Sequence, residues 1–169
     1  MTAFVYRMPA GIPGALSRTG NAYVVEPGVL LAGSAPSAYG LPVAVDAATG
    51  RFRAIAAGDS AASVYGFLVR PFPTQGGDGI NTGLGVSAAP TSGQCDVLKL
   101  GYMSVAVKNG TPSKGSAVYV RVAANAALPN TAVGDIEAVA DAANTVEVAN
   151  AYFTGAADSS GNAEIAFNI

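Results

Sequence analysis

The chain has 169 residues, a length that fits one domain of ordinary size. Charged residues make up 12% of it, about half of the roughly 25% found in soluble globular proteins. The net charge is −2 and the basic residues form no cluster, which argues against binding nucleic acid through its phosphates. No apolar run approaches the length of a membrane-spanning helix. We therefore expect neither nucleic acid nor a membrane as a partner.

Residues 1–39 contain prolines and glycines at spacings that disfavour regular structure. Only residues 22–25 within them predict a short strand. We expect residues 1–39 to form an extended arm and cover, which either lies on a partner or folds back over its own domain. In this arm Phe4 and Tyr6 are candidate aromatic anchors, and Arg7 and Arg18 are candidate partners for carboxylates on another protein.

Strand patterns recur from residue 40 onward. Alternating or short apolar runs predict strands at residues 41–45, 51–55, 63–69, 102–107, 116–122, 145–148 and 164–169. The glycine-rich residues 71–95 predict a long loop, and Asn109-Gly110 predicts a type I′ turn. Two alanine-rich stretches, residues 54–62 and 137–143, are too short for more than one helical turn each. This spacing predicts an all-β domain over residues 40–169, a small antiparallel sandwich or barrel.

Two parts of the sequence resemble each other. Residues 40–45, Gly58-Asp59 and residues 64–67 can be aligned with residues 115–120, Gly134-Asp135 and residues 151–155. The alignment is faint, and chance matches among so many small residues explain it better than an internal duplication, which is the alternative.

The sequence offers no constellation of catalytic or metal-binding residues. It has no histidine and one cysteine, Cys95, so it lacks an imidazole base, a histidine ligand and an internal disulfide. Gly58-Asp59-Ser60 resembles a lipolytic nucleophile block, but a serine nucleophile needs a histidine to accept its proton. Asp135 and Glu137 follow a glycine and are expected on a solvated turn. We expect no catalytic residue, no metal and no cofactor, and therefore no enzyme.

The first residues lack the charged and apolar regions of a signal peptide, so we expect synthesis in a cytoplasm. The scarcity of charge predicts that partners cover much of the surface, because a free monomer usually keeps more charged residues on its surface.

Blocks of the sequence resemble the structural cement proteins of tailed bacteriophages, which decorate capsids. The opening MTAFVYRMPAGIPG and the closing residues 151–155 and 161–169 are the most specific. The other matching blocks are residues 57–66, 69–74 and 114–122. The resemblance covers nearly the whole chain, and no catalytic motif is known to us in that family.

The resemblance implies a jelly-roll-like β domain on the outside of a virion, bound to the major capsid protein of an HK97-type shell. It also implies self-association, as a homodimer or alternatively a homotrimer, at junctions between capsomers. Four residues inside the matching blocks are candidate contacts with the capsid or with a second copy: Arg70, Phe72, Tyr119 and Arg121. Another virion role, in a tail or head fibre, and a small sugar-binding or adhesion module are the alternatives.

Overall fold

The computed structural model of the chain describes residues 11–18, 23–71 and 88–169. Its strands are β1 (Val24–Leu30), β2 (Pro42–Val45), β3 (Phe52–Ala54), β4 (Gly66–Leu68), β5 (Gly93–Asn109), β6 (Ala117–Arg121), β7 (Ile136–Glu137), β8 (Thr145–Phe153) and β9 (Asn162–Phe167). Two single-turn 3-10 helices, Ala61–Ser63 and Ala142–Asn144, overlap the ends of the alanine-rich stretches. The all-β prediction is confirmed. Within these described ranges, no helix is long and apolar enough to cross a membrane.

The strands close into two five-stranded rings that share the long strand β5. In the first barrel, hydrogen-bonded neighbours follow the order β1-β3-β2-β4-β5, and β5 pairs again with β1. In the second barrel the order is β5-β7-β6-β8-β9, and β9 pairs again with β5. The pairings are antiparallel except for short parallel contacts of β1 with β3 and of β5 with β7.

The two barrels use the same pairing register. In the first, β1 pairs with the N-terminal half of β5, and in the second the C-terminal half of β5 pairs with β9. Each pair of the first barrel has an equivalent pair in the second: Val25–Leu98 is equivalent to Tyr102–Ala166, Pro27–Asp96 to Ser104–Glu164, Pro42–Phe67 to Ala117–Tyr152, and Leu68–Val97 to Phe153–Ile165. The same strand order with the same register identifies an internal duplication.

Backbone hydrogen bonds of the turns show which part of the sequence alignment is correct. The amide of Gly40 donates to Leu68 (2.8 Å) as that of Gly115 donates to Phe153 (2.7 Å), which agrees with the alignment of residues 40–45 with 115–120. The alignment of Gly58 with Gly134 is wrong. The amide of Gly134 donates to Arg121, and its counterpart is the Gly50 amide, which donates to Asp46 (2.8 Å each).

Each barrel has a buried apolar interior. Leu30, Val43, Phe52, Leu68 and Val97 fill the first barrel. The core of the second barrel is larger, because it continues into the junction and includes the outward-facing Ala44, Phe67 and Leu98 of the first barrel. At the junction the rings of Phe67 and Phe167 meet edge to face with their centroids 5.1 Å apart.

Three local predictions need correction. Residues 24–30 form a full strand, although Pro27 and Gly28 weaken the strand pattern. The strand β5 starts at Gly93, inside the loop predicted for residues 71–95. Gly110 has a φ of +82° but Asn109 is not among the residues with positive φ, so the turn is not type I′. Although β5 and β6 are consecutive in sequence, β7 lies between them in the sheet, so they do not form a hairpin.

Candidate interaction surface

The outer face of the second barrel carries a row of tyrosines. Tyr102 on β5 and Tyr152 on β8 flank Ala166 on β9, and Tyr119 lies on the neighbouring strand β6. Each tyrosine is half-buried, whereas Ala166 between them is fully buried. We call Tyr102, Tyr119 and Tyr152 the tyrosine face. Half-buried tyrosines on a sheet offer rigid apolar area together with hydroxyl groups for hydrogen bonds.

Arg18 lies against this face. Its guanidinium donates two hydrogen bonds to the Glu164 carboxylate, at 3.1 and 2.6 Å, and lies 4.1 Å from the ring centroid of Tyr102. Burial disfavours the charged Glu164, but hydrogen bonds from Arg18, Ser17 and Thr154 outweigh it and lower the pKa of this carboxyl. The hydrogen bond to Glu164 raises the pKa of Arg18. The pair therefore stays charged and fixes the guanidinium over the ring.

Residues 11–18 hold Arg18 in place by backbone pairing with β5. The amide of Gly14 donates to Ser104 (2.8 Å), that of Ser104 to Ala15 (3.0 Å), and that of Ser17 to Tyr102 (3.2 Å). The Asn162 side chain also donates to the carbonyl of Gly11 (3.2 Å). Residues 11–18 of the predicted arm thus lie on the barrel of their own chain. Phe4, Tyr6 and Arg7, the other candidate contacts of the arm, lie outside the described residues.

Arg70 lies beside the same segment. Its amide donates to the carbonyl of Gly14 (2.8 Å), and its guanidinium is 5.6 Å from the ring centroid of Tyr39. The structure brings Arg70 close to residues 11–18 but not onto the tyrosine face. Phe72, predicted as a contact with Arg70, lies outside the described residues.

Arg121 lies in the interior rather than on the surface. Its side chain has no exposed area and its Nε donates to Glu137, also fully buried, at 2.5 Å. A second nitrogen lies 2.9 Å from a carboxylate oxygen of Asp141, and a third donates to the carbonyl of Ala123 at 3.2 Å. Arg121 is therefore not available to a partner in this conformation, and Glu137 is not on a solvated turn as expected.

The described residues hold no group of three or more His, Cys, Asp or Glu side chains that could bind a metal ion. Cys95 is partly buried, and burial raises the pKa of its thiol to about 11. A thiol with that pKa is protonated near neutral pH and is a weak nucleophile.

The tyrosine face has a counterpart on the first barrel that is an internal interface. The shared register matches Tyr102, Tyr152 and Ala166 with Val25, Phe67 and Leu98, and Tyr119 with Ala44. On the first barrel Ala44, Phe67 and Leu98 have at most 1% of their surface exposed, because the second barrel packs on them. Sequence analysis gives Tyr119 as a candidate contact. The pairing of Tyr102 and Tyr152 with Ala166, together with the match of Tyr119 with Ala44, shows that all three tyrosines share one face.

Comparisons with known proteins place the chain in a family. No curated protein matches the chain. A solved structure, "The capsid of Myoviridae Phage XM1", contains a chain with the same fold at a TM-score of 0.63 and 18% sequence identity, covering 98% of this chain and 95% of the other. The family model of the XM1 gp53 minor capsid protein matches residues 1–167. The chain therefore belongs to the XM1 gp53 minor capsid protein family and is a structural protein of a virion.

Proposed function

We propose that this minor capsid protein is a cement protein, which binds the outside of an HK97-type shell at junctions between capsomers. Its partner in this role is the major capsid protein. A protein that binds only the assembled shell stabilises the assembly by mass action, by an amount that grows with the ratio of its concentration to its dissociation constant. Family membership supports a role in the capsid, and the resemblance of the sequence to phage cement proteins supports the outer position.

The tyrosine face is the observation that carries the proposal. Tyrosine and arginine are enriched where proteins bind each other, and here Tyr102, Tyr119, Tyr152 and Arg18 lie together on one barrel. The equivalent face of the first barrel already packs against a protein surface, namely the second barrel. A face that serves as an interface in one copy of a duplicated fold is a suitable interface in the other.

The face is also rigid before a partner arrives. Strands β5, β9 and β8 fix the backbones of Tyr102 and Tyr152, and Glu164 fixes the guanidinium of Arg18. Because little side-chain freedom remains to be lost, the entropy lost on association is smaller than for a flexible surface.

The test uses bare, preassembled shells. Adding the protein to them should give decorated particles that sediment together with it and rupture at a higher temperature than bare shells. Because the interior of a closed shell is not accessible, binding in this order also establishes the outer position. The double variant Tyr119→Ala and Tyr152→Ala should bind at least about tenfold more weakly, as expected when central aromatic contacts are removed.

Tyr23→Ala is the matched control, because Tyr23 is 38% exposed and lies outside the tyrosine face. It should bind shells like the parent protein. Decorated and bare shells that rupture at the same temperature would contradict the cement function. Recognition of glycans without binding to shells would favour the sugar-binding alternative.

A further inference from the structure

Residues 11–18 lie along one edge of β5, where they act as a short added strand. The carbonyls of Tyr102 and Ser104 accept backbone hydrogen bonds from this segment, at 3.2 and 2.8 Å, and Arg18 binds the carboxylate of Glu164. The second barrel therefore binds an extended segment that carries a basic residue. The duplication repeats this edge on the first barrel, where β1 takes the place of the C-terminal half of β5.

Within the described part of the chain, the equivalent edge of β1 is unpaired over most of its length. Val25 and Pro27 are equivalent to Tyr102 and Ser104, so their carbonyls point away from the strand that β1 pairs with. On this outer side β1 pairs with another described strand only at Leu30. Pro27 has no amide proton, which disfavours pairing with an arbitrary strand. The two carbonyls still accept the bonds that Tyr102 and Ser104 accept, so the edge is open to a segment that donates to it.

The side chains beside this edge include a free carboxylate. Asp96 is equivalent to Glu164 and Gln94 is equivalent to Asn162, and both side chains are exposed. Together with Pro27 they line a cleft of about 420 Å³. Asp96 forms no ion pair with a described residue. The cleft therefore offers a carboxylate and an amide to a segment that carries a basic residue.

A second carboxylate changes the kind of segment that this edge accepts. On the second barrel Leu16 lies opposite Met103 and packs on the apolar core. The residue equivalent to Met103 is Glu26, which is half-buried and accepts a hydrogen bond from the hydroxyl of Tyr65 at 2.8 Å. A leucine of the added segment would lie against this carboxylate, whereas a basic or polar side chain would be stabilised by it. The edge of β1 thus favours a more basic segment than residues 11–18.

The described part of a second copy does not supply such a segment. Arg18 is exposed but binds Glu164. The other exposed basic side chains among the described residues are Arg51 and Lys114, in the turns before β3 and β6, and Lys108, on the paired strand β5. None of them lies on an unpaired extended segment. A different protein is therefore the better source, and the partner in the proposed function is the major capsid protein.

We propose that the edge of β1 binds an extended basic segment of the major capsid protein, which adds a strand to the first barrel and places an arginine or lysine on Asp96. This inference rests on the proposed function, because it takes the shell as the partner. In this mode of binding, main-chain hydrogen bonds to Val25 and Pro27 supply affinity and the side chains supply specificity. Asp96 and Glu26 select basic side chains. The edge of β1 and the tyrosine face are two separate contacts with the shell, one on each barrel.

Binding of Asp96 variants to bare shells tests this proposal. Asp96→Asn should weaken binding by about fivefold or more, and Asp96→Lys should weaken it further because it repels the basic segment. Binding of the parent protein should also fall more steeply with salt concentration than binding of Asp96→Asn, because the variant has one ion pair fewer to be screened. Ala48→Lys is the matched control. Ala48 is exposed in the turn between β2 and β3, and its substitution changes the net charge as Asp96→Asn does, but it should bind like the parent.

Hydrogen exchange distinguishes the possible occupants of the edge. The amide of Val25 points to the same side as its carbonyl, so it should exchange quickly in the isolated protein and slowly on decorated shells. Slow exchange in the isolated protein would show that another part of this chain or a second copy already fills the edge, and would overturn the assignment to the shell.

The outcomes for this contact and for the cement function can be told apart. If the Asp96 variants bind like the parent while the double variant Tyr119→Ala and Tyr152→Ala binds weakly, the contact at β1 is wrong and the cement function stands. A parent protein that does not bind shells would overturn both.

Discussion

At the hairpin between the second and third strands, the two barrels carry opposite charges at equivalent positions. Arg121 and Glu137 occupy the positions that Asp46 and Arg53 occupy in the first barrel. In the first barrel Arg53 binds Asp59 at 2.7 Å with part of both side chains exposed. In the second barrel the chain between β6 and β7 is longer, and the ion pair of Arg121 and Glu137 is fully buried. Sequence alternation locates Arg121 on a strand but does not show that a loop covers it.

Removal of one partner from the buried pair should be strongly destabilising. Glu137→Ala leaves the Arg121 guanidinium buried without its main carboxylate, and the free energy of unfolding should fall by about 3 to 5 kcal/mol. Arg18→Ala removes an ion pair in which the arginine is 54% exposed, and the loss should be about 1 kcal/mol or less. Urea denaturation of both variants measures the difference. Equal losses would contradict the structural role assigned to the buried pair.

At the scale of elements, the sequence predicts strands well where they alternate and poorly where they lie at an edge. The pattern predicts β9 because Ile165 and Phe167 alternate with small or polar residues, and both are buried in the structure. It predicts only the start of β1, because Pro27 interrupts the pattern. The residue equivalent to Pro27 in the second barrel is Ser104, whose amide donates to the carbonyl of Ala15 and therefore points away from β9. By the same register the nitrogen of Pro27 points away from β5, so the proline removes none of the hydrogen bonds between β1 and β5.

The candidate site was predictable only in part, for a related reason. The sequence indicates Tyr119 and Arg18 as candidate contacts, and in the structure both lie on or against the tyrosine face. Tyr102 and Tyr152 are distant in sequence and become neighbours through β9. Long-range register of this kind follows from the duplication, which the aligned residues 40–45 and 115–120 indicated but did not establish.

The segment of residues 11–18 depends on a glycine that admits no side chain. Gly14 has a φ of +85°, and an added Cβ would lie 2.5 Å from the Cβ of Tyr39. Gly14→Ala should therefore detach the segment, and limited proteolysis near Arg18 should become faster by an order of magnitude or more. Gly50→Ala is the control, because Gly50 has a similar φ of +68° but open space around it. Its effect should be limited to about 1 kcal/mol of backbone strain, without faster cleavage at Arg18.

At the scale of the whole molecule, the shared strand makes the two barrels one cooperative unit. β5 supplies the last strand of the first barrel and the first strand of the second, so neither ring closes without it. The second core also includes Phe67 and Leu98 of the first barrel. Unfolding of one barrel would therefore expose apolar surface of the other and open its ring. A structural protein of a virion is more stable when neither of its barrels can unfold separately from the other.

Val105→Asp tests this coupling, because Val105 is fully buried in the second barrel, on the half of β5 that pairs with β9 and not with a strand of the first barrel. An unpaired carboxylate in an apolar core is strongly unfavourable, and the variant should lose several kcal/mol of stability, on the order of 3 or more. Hydrogen exchange should show faster global opening at amides of the first barrel, such as Val43, as well as in the second. A single denaturation transition with all probes coincident is the expected behaviour of one cooperative unit. Two separate transitions, with Val43 protected while the second barrel is unfolded, would show that the barrels are independent despite the strand they share.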